Sequence, residues 1–286
     1  MYNIYNIFEK IFTKKISDGV DGDLVNNNQK LLKRIEELEY QQKKQMLHLE
    51  TLLTDIYDNA VIPKKFCPLC KSELLAFLPF GVNPKVRGNA LCPNCGSLER
   101  HRASYLFLKE NTNIFEENIK MLHFAPEKVL FEIFSNKTNI EYLPVDLNPD
   151  QFYAKEKMDI QNIKYPENTF DFIYCSHVLE HVPNDQKALK ELYRVLKPDG
   201  STLIMIPIRH SSKKTFEDSS VNTPELRSQY YGQFDHLRYY GLDFQEKLEN
   251  AGFNVSNDFV QNKSIESQKK YGLNLSDTIF YCTKNG

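Results

Sequence analysis

The strongest constraint on this chain is an alternation between residues 119 and 207, where short apolar runs (121–124, 142–145, 170–175 and 201–206) are separated by helix-length segments. Strands joined by connections of that length cross over instead of folding back as hairpins, so the pattern predicts an α/β fold with a parallel sheet and helices on both faces. In such sheets ligands sit at the carboxyl ends of the strands, where the strand order reverses. The residues following each run are Ala125-Pro126-Glu127, Asp146 and Ser176-His177, with Asp159 after a short intervening segment.

An acidic residue about 20 positions beyond the first strand–helix turn is placed to accept from ribose hydroxyls. Asp146 occupies that position, and Asp159, beside Ile160, is placed to accept from an exocyclic amine at a ring edge. Together they predict an adenosine pocket.

The segments VDL, MDI, FDFIYCSHVLEHV and ELYRVLKPDG resemble the class I S-adenosylmethionine-dependent methyltransferases, of the type 11 kind, over about residues 119–284. The resemblance implies a Rossmann-like sheet, S-adenosylmethionine as cofactor, and a cofactor-binding set of Phe124, Ala125, Glu127, Asp146, Leu147, Asp159, Ile160, Ser176 and His177. One departure stands out: the family opens with a glycine-rich turn, and HFAPE has no glycine. Glycine there lets backbone approach a ligand closely, so Glu127 is expected to hold the amino group of the methionine end instead.

Cys67-Pro-Leu-Cys70 and Cys92-Pro-Asn-Cys95 each bring two thiolates to one side of a tight turn. Two such pairs complete a tetrahedral sulfur shell suited to Zn²⁺, and four protein ligands leave no open position, so the expected metal is structural. Cys175 and Cys282 fall in apolar runs and read as small core residues. The run CP-x-CG-S-x-ERHR followed by Ala-Pro-Glu is similar to a bacterial methyltransferase subgroup with an N-terminal zinc ribbon. That similarity implies that Glu99, Arg100, His101 and Arg102 face the catalytic cleft. Lys64, Lys65, Lys71, Lys85, Arg87, Arg100 and Arg102 crowd this region, against Glu73 and Glu99, a local excess that could meet phosphate.

Four stretches are delimited: an amphipathic segment and linker (1–26), a helical or coiled-coil segment (27–60), a zinc ribbon (61–103) and the α/β domain (104–286) with an insertion at 208–244. Residues 1–16 place Ile4, Ile7, Phe8, Ile11, Phe12 and Ile16 on one helical face, suited to docking on this chain, on a partner or at a membrane surface. Leu31, Ile35, Leu38, Gln42, Gln45, Leu49, Leu52 and Ile56 alternate spacings of four and three, the seam of a coiled coil, and predict a homodimer through residues 31–56.

The 208–244 insertion is too long and too polar for a plain connection and reads as a lid or substrate site. Within it, GQFDHLRYYG places a carboxylate beside a histidine, so His236 is the expected general base, oriented by Asp235, with Arg238 binding substrate. His177 and His181 are rivals, and His181 is read as structural.

A net charge of −2 argues against a nucleic-acid partner. No run is long enough to span a membrane and the N-terminus lacks a signal-peptide core, which predicts a cytoplasmic protein. The subgroup resemblance implies O-methylation of a saccharide or other small-molecule acceptor in surface-polysaccharide tailoring. RNA methylation through the zinc ribbon, and a non-catalytic scaffold built on a degenerate fold, are the alternatives.

Overall fold

The computed structural model describes residues 22–59, 64–81, 86–151 and 153–285, and the chain divides into two units, Met1–Ile62 and Pro63–Gly286. The amphipathic stretch 1–16 lies outside the described residues. In the first unit the described residues form one helix, α1 (Gly22–Asn59), which begins inside the segment expected to be a linker. Leu31, Ile35, Leu38 and Leu49 of the heptad seam are exposed along it.

The second unit opens with two small hairpins. Strands β1 (Lys65–Cys67) and β2 (Ser72–Leu74) pair antiparallel, as do β3 (Leu78–Phe80) and β4 (Arg87–Leu91). Each C-x-x-C turn is followed by a left-handed residue, Lys71 (φ 57°) in the first and Gly96 (φ 74°) in the second, which lets the chain reverse behind the sulfurs. The second turn leads into α2 (Glu99–Asn111).

A seven-stranded sheet follows, built from β5 (Ile119–Phe124), β6 (Ile140–Asp146), β7 (Glu156–Lys157), β8 (Phe170–Ser176), β9 (Leu196–Met205), β10 (Asn254–Ser256) and β11 (Ile279–Thr283), in the order β10-β11-β9-β8-β5-β6-β7. β9, β8, β5, β6 and β7 run parallel, while β11 pairs antiparallel with both β9 and β10. Residues 121–124, 142–145, 170–175 and 201–205 of the expected runs all lie in parallel strands. The chain starts at β5, steps outward to β6 and β7, then crosses back to β8. Connections therefore leave β5 and β8 in opposite directions and open a crevice at their carboxyl ends.

β8 reads as a continuous apolar run because both its faces are buried. Phe172 and Tyr174 join one core with Leu130 and Phe134 of α3 (Lys128–Ser135), whereas Ile173 and Cys175 join the other with Leu189 and Leu192 of α4 (Asp185–Val195). Cys282 packs in the same core as Cys175, and burial raises both thiols, keeping them protonated.

Two segments go beyond the expected plan. The 208–244 insertion carries α5 (Pro224–Tyr230) and returns alongside itself through bridges Ile208–Tyr240 and Phe216–Tyr239, before α6 (Phe244–Asn250). Between β10 and β11 lies α7 (Ile265–Tyr271), whose Tyr271 ring meets Phe66 of β1 at 6.3 Å. Lys65 Nζ donates to the Lys269 carbonyl at 2.8 Å, so the end of the chain clasps the ribbon.

Candidate functional site

At the carboxyl ends of β5, β6 and β8 is a cavity of about 660 Å³. All nine residues of the expected cofactor set line it: Phe124, Ala125, Glu127, Asp146, Leu147, Asp159, Ile160, Ser176 and His177. Two wall residues hold left-handed backbone, Ala125 (φ 51°) at the end of β5 and His177 (φ 56°) at the end of β8. Ala125 thus adopts the conformation for which the missing glycine would be the default, at a cost of about 1–2 kcal/mol. Hydrogen bonds from Ala125 N–H to the Val145 carbonyl (3.0 Å) and from His177 N–H to the Met205 carbonyl (2.8 Å) hold both turns. Such strain persists only where surrounding structure enforces it, and it clusters at functional sites.

The two carboxylates are pre-set by local turns. Asp146 Oδ1 accepts the Asn148 N–H at 2.7 Å, and Asp159 Oδ1 accepts the Gln161 N–H at 2.8 Å. Each retains lone pairs for a ligand. The Ser176 hydroxyl, also in the wall, is buried with no hydrogen-bond partner among the described residues. That orphaned group fits a site shaped around a polar ligand, and the paired carboxylates suit the ribose and base of an adenosine.

Glu127 is held from the ribbon side. Arg100 donates to both its oxygens, and His101 Nε2 lies 2.5 Å from Oε2. His101 Nδ1 accepts the Leu98 N–H at 3.1 Å, so the neutral ring carries its proton on Nε2 and donates it to Glu127. Burial alone would raise the Glu127 carboxyl, but His101 and Arg100 outweigh it and hold the group ionised well below the usual carboxylate range.

The other two residues of ERHR do not reach Glu127, and Arg102 does not face the cleft, contrary to expectation. Glu99 pairs with Arg87 at 2.9 Å. Arg102 is fully buried, and its guanidinium donates to the carbonyls of Asn89, Ala90, Ser97, Tyr271 and Gly272 while stacking 3.7 Å over the Phe77 ring. It is a bolt through the ribbon, α2 and the segment after α7.

The four ribbon cysteines, Cys67, Cys70, Cys92 and Cys95, converge. Sulfur separations are 3.7 Å for Cys67–Cys95 and 3.8 Å for Cys70–Cys92. The edge of a tetrahedron with Zn–S bonds of about 2.3 Å is about 3.8 Å, so the donor set and its size both fit zinc. Ser97 Oγ lies 3.3 Å from the Cys67 and Cys95 sulfurs, an outer hydrogen bond of the kind that orients metal ligands.

The expected catalytic trio separates. Asp235 lines the cavity, but its Oδ2 lies 3.2 Å from His181 Nδ1, not on His236. His236 is only 9% exposed and sits behind, its ring edge-on to that of His181 at 4.8 Å. Burial lowers the pKa of His236 and favours the neutral ring. Arg238 is 1% exposed and cannot clamp a substrate: its five N–H groups go to Glu217 and to the carbonyls of Leu179, Val182 and Pro183. It laces the insertion onto the short 3₁₀ turn Leu179–His181. Beside His177, the histidine in the wall is His181 and not His236; sequence reasoning reads His181 as structural. The signal for it was the spacing His177, Glu180, His181, which a single turn gathers at the end of β8. Gln233, Val182 and Pro183 also line this end of the cavity.

A family model described as a methyltransferase domain matches residues 111–257, just over half of the chain. The ubiquinone/menaquinone biosynthesis C-methyltransferase UbiE of Hydrogenovibrio crunogenus is 49% identical over 68 residues, 24% of this chain and 22% of that protein. The protein of that name from Escherichia coli is 36% identical over 81 residues, 27% of this chain and 32% of its own. An uncharacterized protein of Methanocaldococcus jannaschii is 35% identical over 100 residues, 32% and 44% of the two chains. The chain thus spans less than half the length of these relatives. Among solved structures, an S-adenosylmethionine-dependent methyltransferase from Mesorhizobium loti matches at 13% identity and a TM-score of 0.46, covering 64% of this chain and 98% of that one.

Proposed function

The chain belongs to the methyltransferase-domain family, and from that premise we propose that it transfers a methyl group from S-adenosylmethionine to a hydroxyl of a saccharide or similar small acceptor. The observation that carries this reading is the gathering of all nine motif residues around one cavity at the strand switch point. When bound, S-adenosylmethionine supplies a methyl group activated on sulfonium. Asp146 accepts from the ribose, Asp159 and the Ile160 backbone meet the base, and Glu127 uses lone pairs left by Arg100 and His101 for the amino group. Gln233, Asp235 and His181 form a polar rim where the acceptor enters and is oriented.

Val178, Val182 and Pro183 make part of that same end apolar, which favours a second reading, C-methylation of an apolar acceptor; C-methylation is the reaction in the name of the UbiE relatives. The RNA alternative, raised by zinc knuckles ahead of this fold, would draw on the seven basic residues between 64 and 102, of which five are engaged within the chain. Lys64 pairs with Glu73, Arg87 with Glu99 and Arg100 with Glu127, Lys65 is tied to α7, and Arg102 is buried. In this reading the ribbon binds structural Zn²⁺ and braces Glu127, and α1 pairs with a second copy through its exposed seam. Among the described residues no helix is long and apolar enough to cross a membrane.

Calorimetric titration with S-adenosylhomocysteine, beside Asp146→Ala, tests the proposal. A charge-assisted hydrogen bond is worth about 1.5–3 kcal/mol, so the variant should bind roughly 10- to 100-fold more weakly. No binding by folded, zinc-loaded wild-type protein would refute methyl transfer and favour a scaffold.

A further inference from the structure

Behind the acceptor rim lies a cluster that the cofactor does not use. Glu180, His181 and His236 each offer a ligand atom, all within 4.8 Å of one another. Glu180 is 1% exposed; its Oε1 is 3.2 Å from His177 Nδ1, while Oε2 is buried with no hydrogen-bond partner among the described residues. A buried carboxylate oxygen with no donor is costly unless something cationic meets it.

The two histidines are arranged to complement it. His181 turns Nδ1 towards Asp235 Oδ2 at 3.2 Å, which leaves Nε2 to act as a ligand. A carboxylate on the remote ring nitrogen is the usual outer partner of a metal-bound histidine. His236 stands edge-on to His181 at 4.8 Å between ring centroids.

The segments carrying these ligands are tied together before any ion arrives. Leu237 N–H donates to the Glu180 carbonyl at 2.8 Å, Arg238 holds the carbonyls of Leu179, Val182 and Pro183, and Tyr240 Oη donates to Leu179 at 3.1 Å. Arg238 is in this sense a positioning residue.

We propose that Glu180, His181 and His236 form a second metal site, for a divalent first-row ion such as Mn²⁺, distinct from the ribbon cysteines in place and in donor chemistry. One carboxylate and two imidazoles suit such an ion and leave coordination positions open. Ligand atoms around a bond length of about 2.1 Å stand roughly 3–3.5 Å apart, so separations of up to 4.8 Å close by up to about 1.3–1.8 Å on binding. His181 also lines the cavity, which directs the open positions towards the acceptor. The inference rests on the methyl-transfer reading for its role: the ion takes the acceptor hydroxyl as a ligand and makes its proton easier to lose. That proton leaves to solvent at the cavity mouth, the oxygen forms the new bond to the methyl carbon, and the pair of the broken carbon–sulfur bond stays on sulfur.

The test is titration of full-length, zinc-loaded protein with Mn²⁺, which competes poorly for thiolates, beside a separate titration with S-adenosylhomocysteine. The expected result is one Mn²⁺ per chain, weakened at least tenfold in His236→Ala and in His181→Ala, with zinc content unchanged and S-adenosylhomocysteine affinity altered less than threefold. Because His236 is buried, His181→Ala, at a partly exposed position, keeps the test valid if His236→Ala fails to fold. Absence of Mn²⁺ binding, or binding that either folded variant retains in full, overturns the site. Mn²⁺ binding without S-adenosylhomocysteine binding would uphold the site and refute methyl transfer; the reverse would do the opposite.

Discussion

Replacing Arg102 with methionine removes five hydrogen bonds at once, to carbonyls of Asn89, Ala90, Ser97, Tyr271 and Gly272. The methionine fills much of the volume over Phe77, so the loss is chiefly polar. Each carbonyl left dry costs about 1–3 kcal/mol, but release of a buried cation and entry of water recover part of the sum. Removing one member of a buried charged network typically costs about 3–5 kcal/mol. In a unit of this size 1 kcal/mol moves Tm by about 2–4 °C, so a loss near 4 kcal/mol predicts a fall of roughly 8–16 °C. Because the bonds join β4 and the second knuckle to the segment after α7, the ribbon should open first. Zinc release to a chromogenic chelator should therefore accelerate well below the global transition. Arg102→Lys, with three donors instead of five, should fall between the two. A methionine variant within about 2 °C of wild type, with unchanged zinc release, would refute the bolt and return Arg102 to an accessory role.

Three further outcomes follow from the geometry. Burial, with Glu99 adding repulsion, pushes the Asp277 carboxyl up to about 6, and its Oδ2 has no partner among the described residues. A carboxyl whose folded pKa lies above its ordinary value favours the fold below about 3.8 and loses that contribution as pH rises through about 6. Asp277→Asn should thus be more stable than wild type at pH 7.5, by at most about 3 kcal/mol, and equal to it near pH 4; a pH-independent difference in chemical denaturation would contradict the assignment. Ala125→Gly relieves a left-handed alanine but loosens the unfolded chain, so stability should change by zero to about +1 kcal/mol in Tm-derived free energy, with S-adenosylhomocysteine affinity retained; a clear loss of stability would mean that the alanine methyl is packed. Arg238→Met should lower Tm and cofactor affinity together, because it frees the Leu179–His181 turn, whereas a rise confined to the acceptor KM would restore Arg238 as a substrate clamp.

Most of the fold could be read before any coordinates, because the information is local and periodic. The apolar runs at 121–124 and 170–175 are packed on both faces, and that at 142–145 is partly buried on each, so composition alone marks them as inner strands. Each C-x-x-C knuckle encodes its turn and a pair of metal-ligating sulfurs in four residues, and Asp146 and Asp159 sit at strand ends whose position follows from strand order. The glycine-free turn was legible as a departure, but not its resolution: only the backbone reveals that Ala125 takes the left-handed conformation itself.

What the sequence could not settle were the partners of charged side chains that are distant in the chain. Asp235 adjoins His236 in sequence, yet the turn at 233–238 points the carboxylate to His181, 54 positions earlier. Arg238 has the composition of a substrate ligand, and only packing shows that every donor it has is spent on the 179–183 turn and Glu217. Likewise ERHR divides, Arg100 and His101 reaching Glu127 while Glu99 and Arg102 tie the ribbon down, because consecutive helix positions point about 100° apart. Strand order and knuckle chemistry are fixed by short-range pattern; which carboxylate meets which cation depends on where distant segments are brought together, and that is decided only when the chain closes.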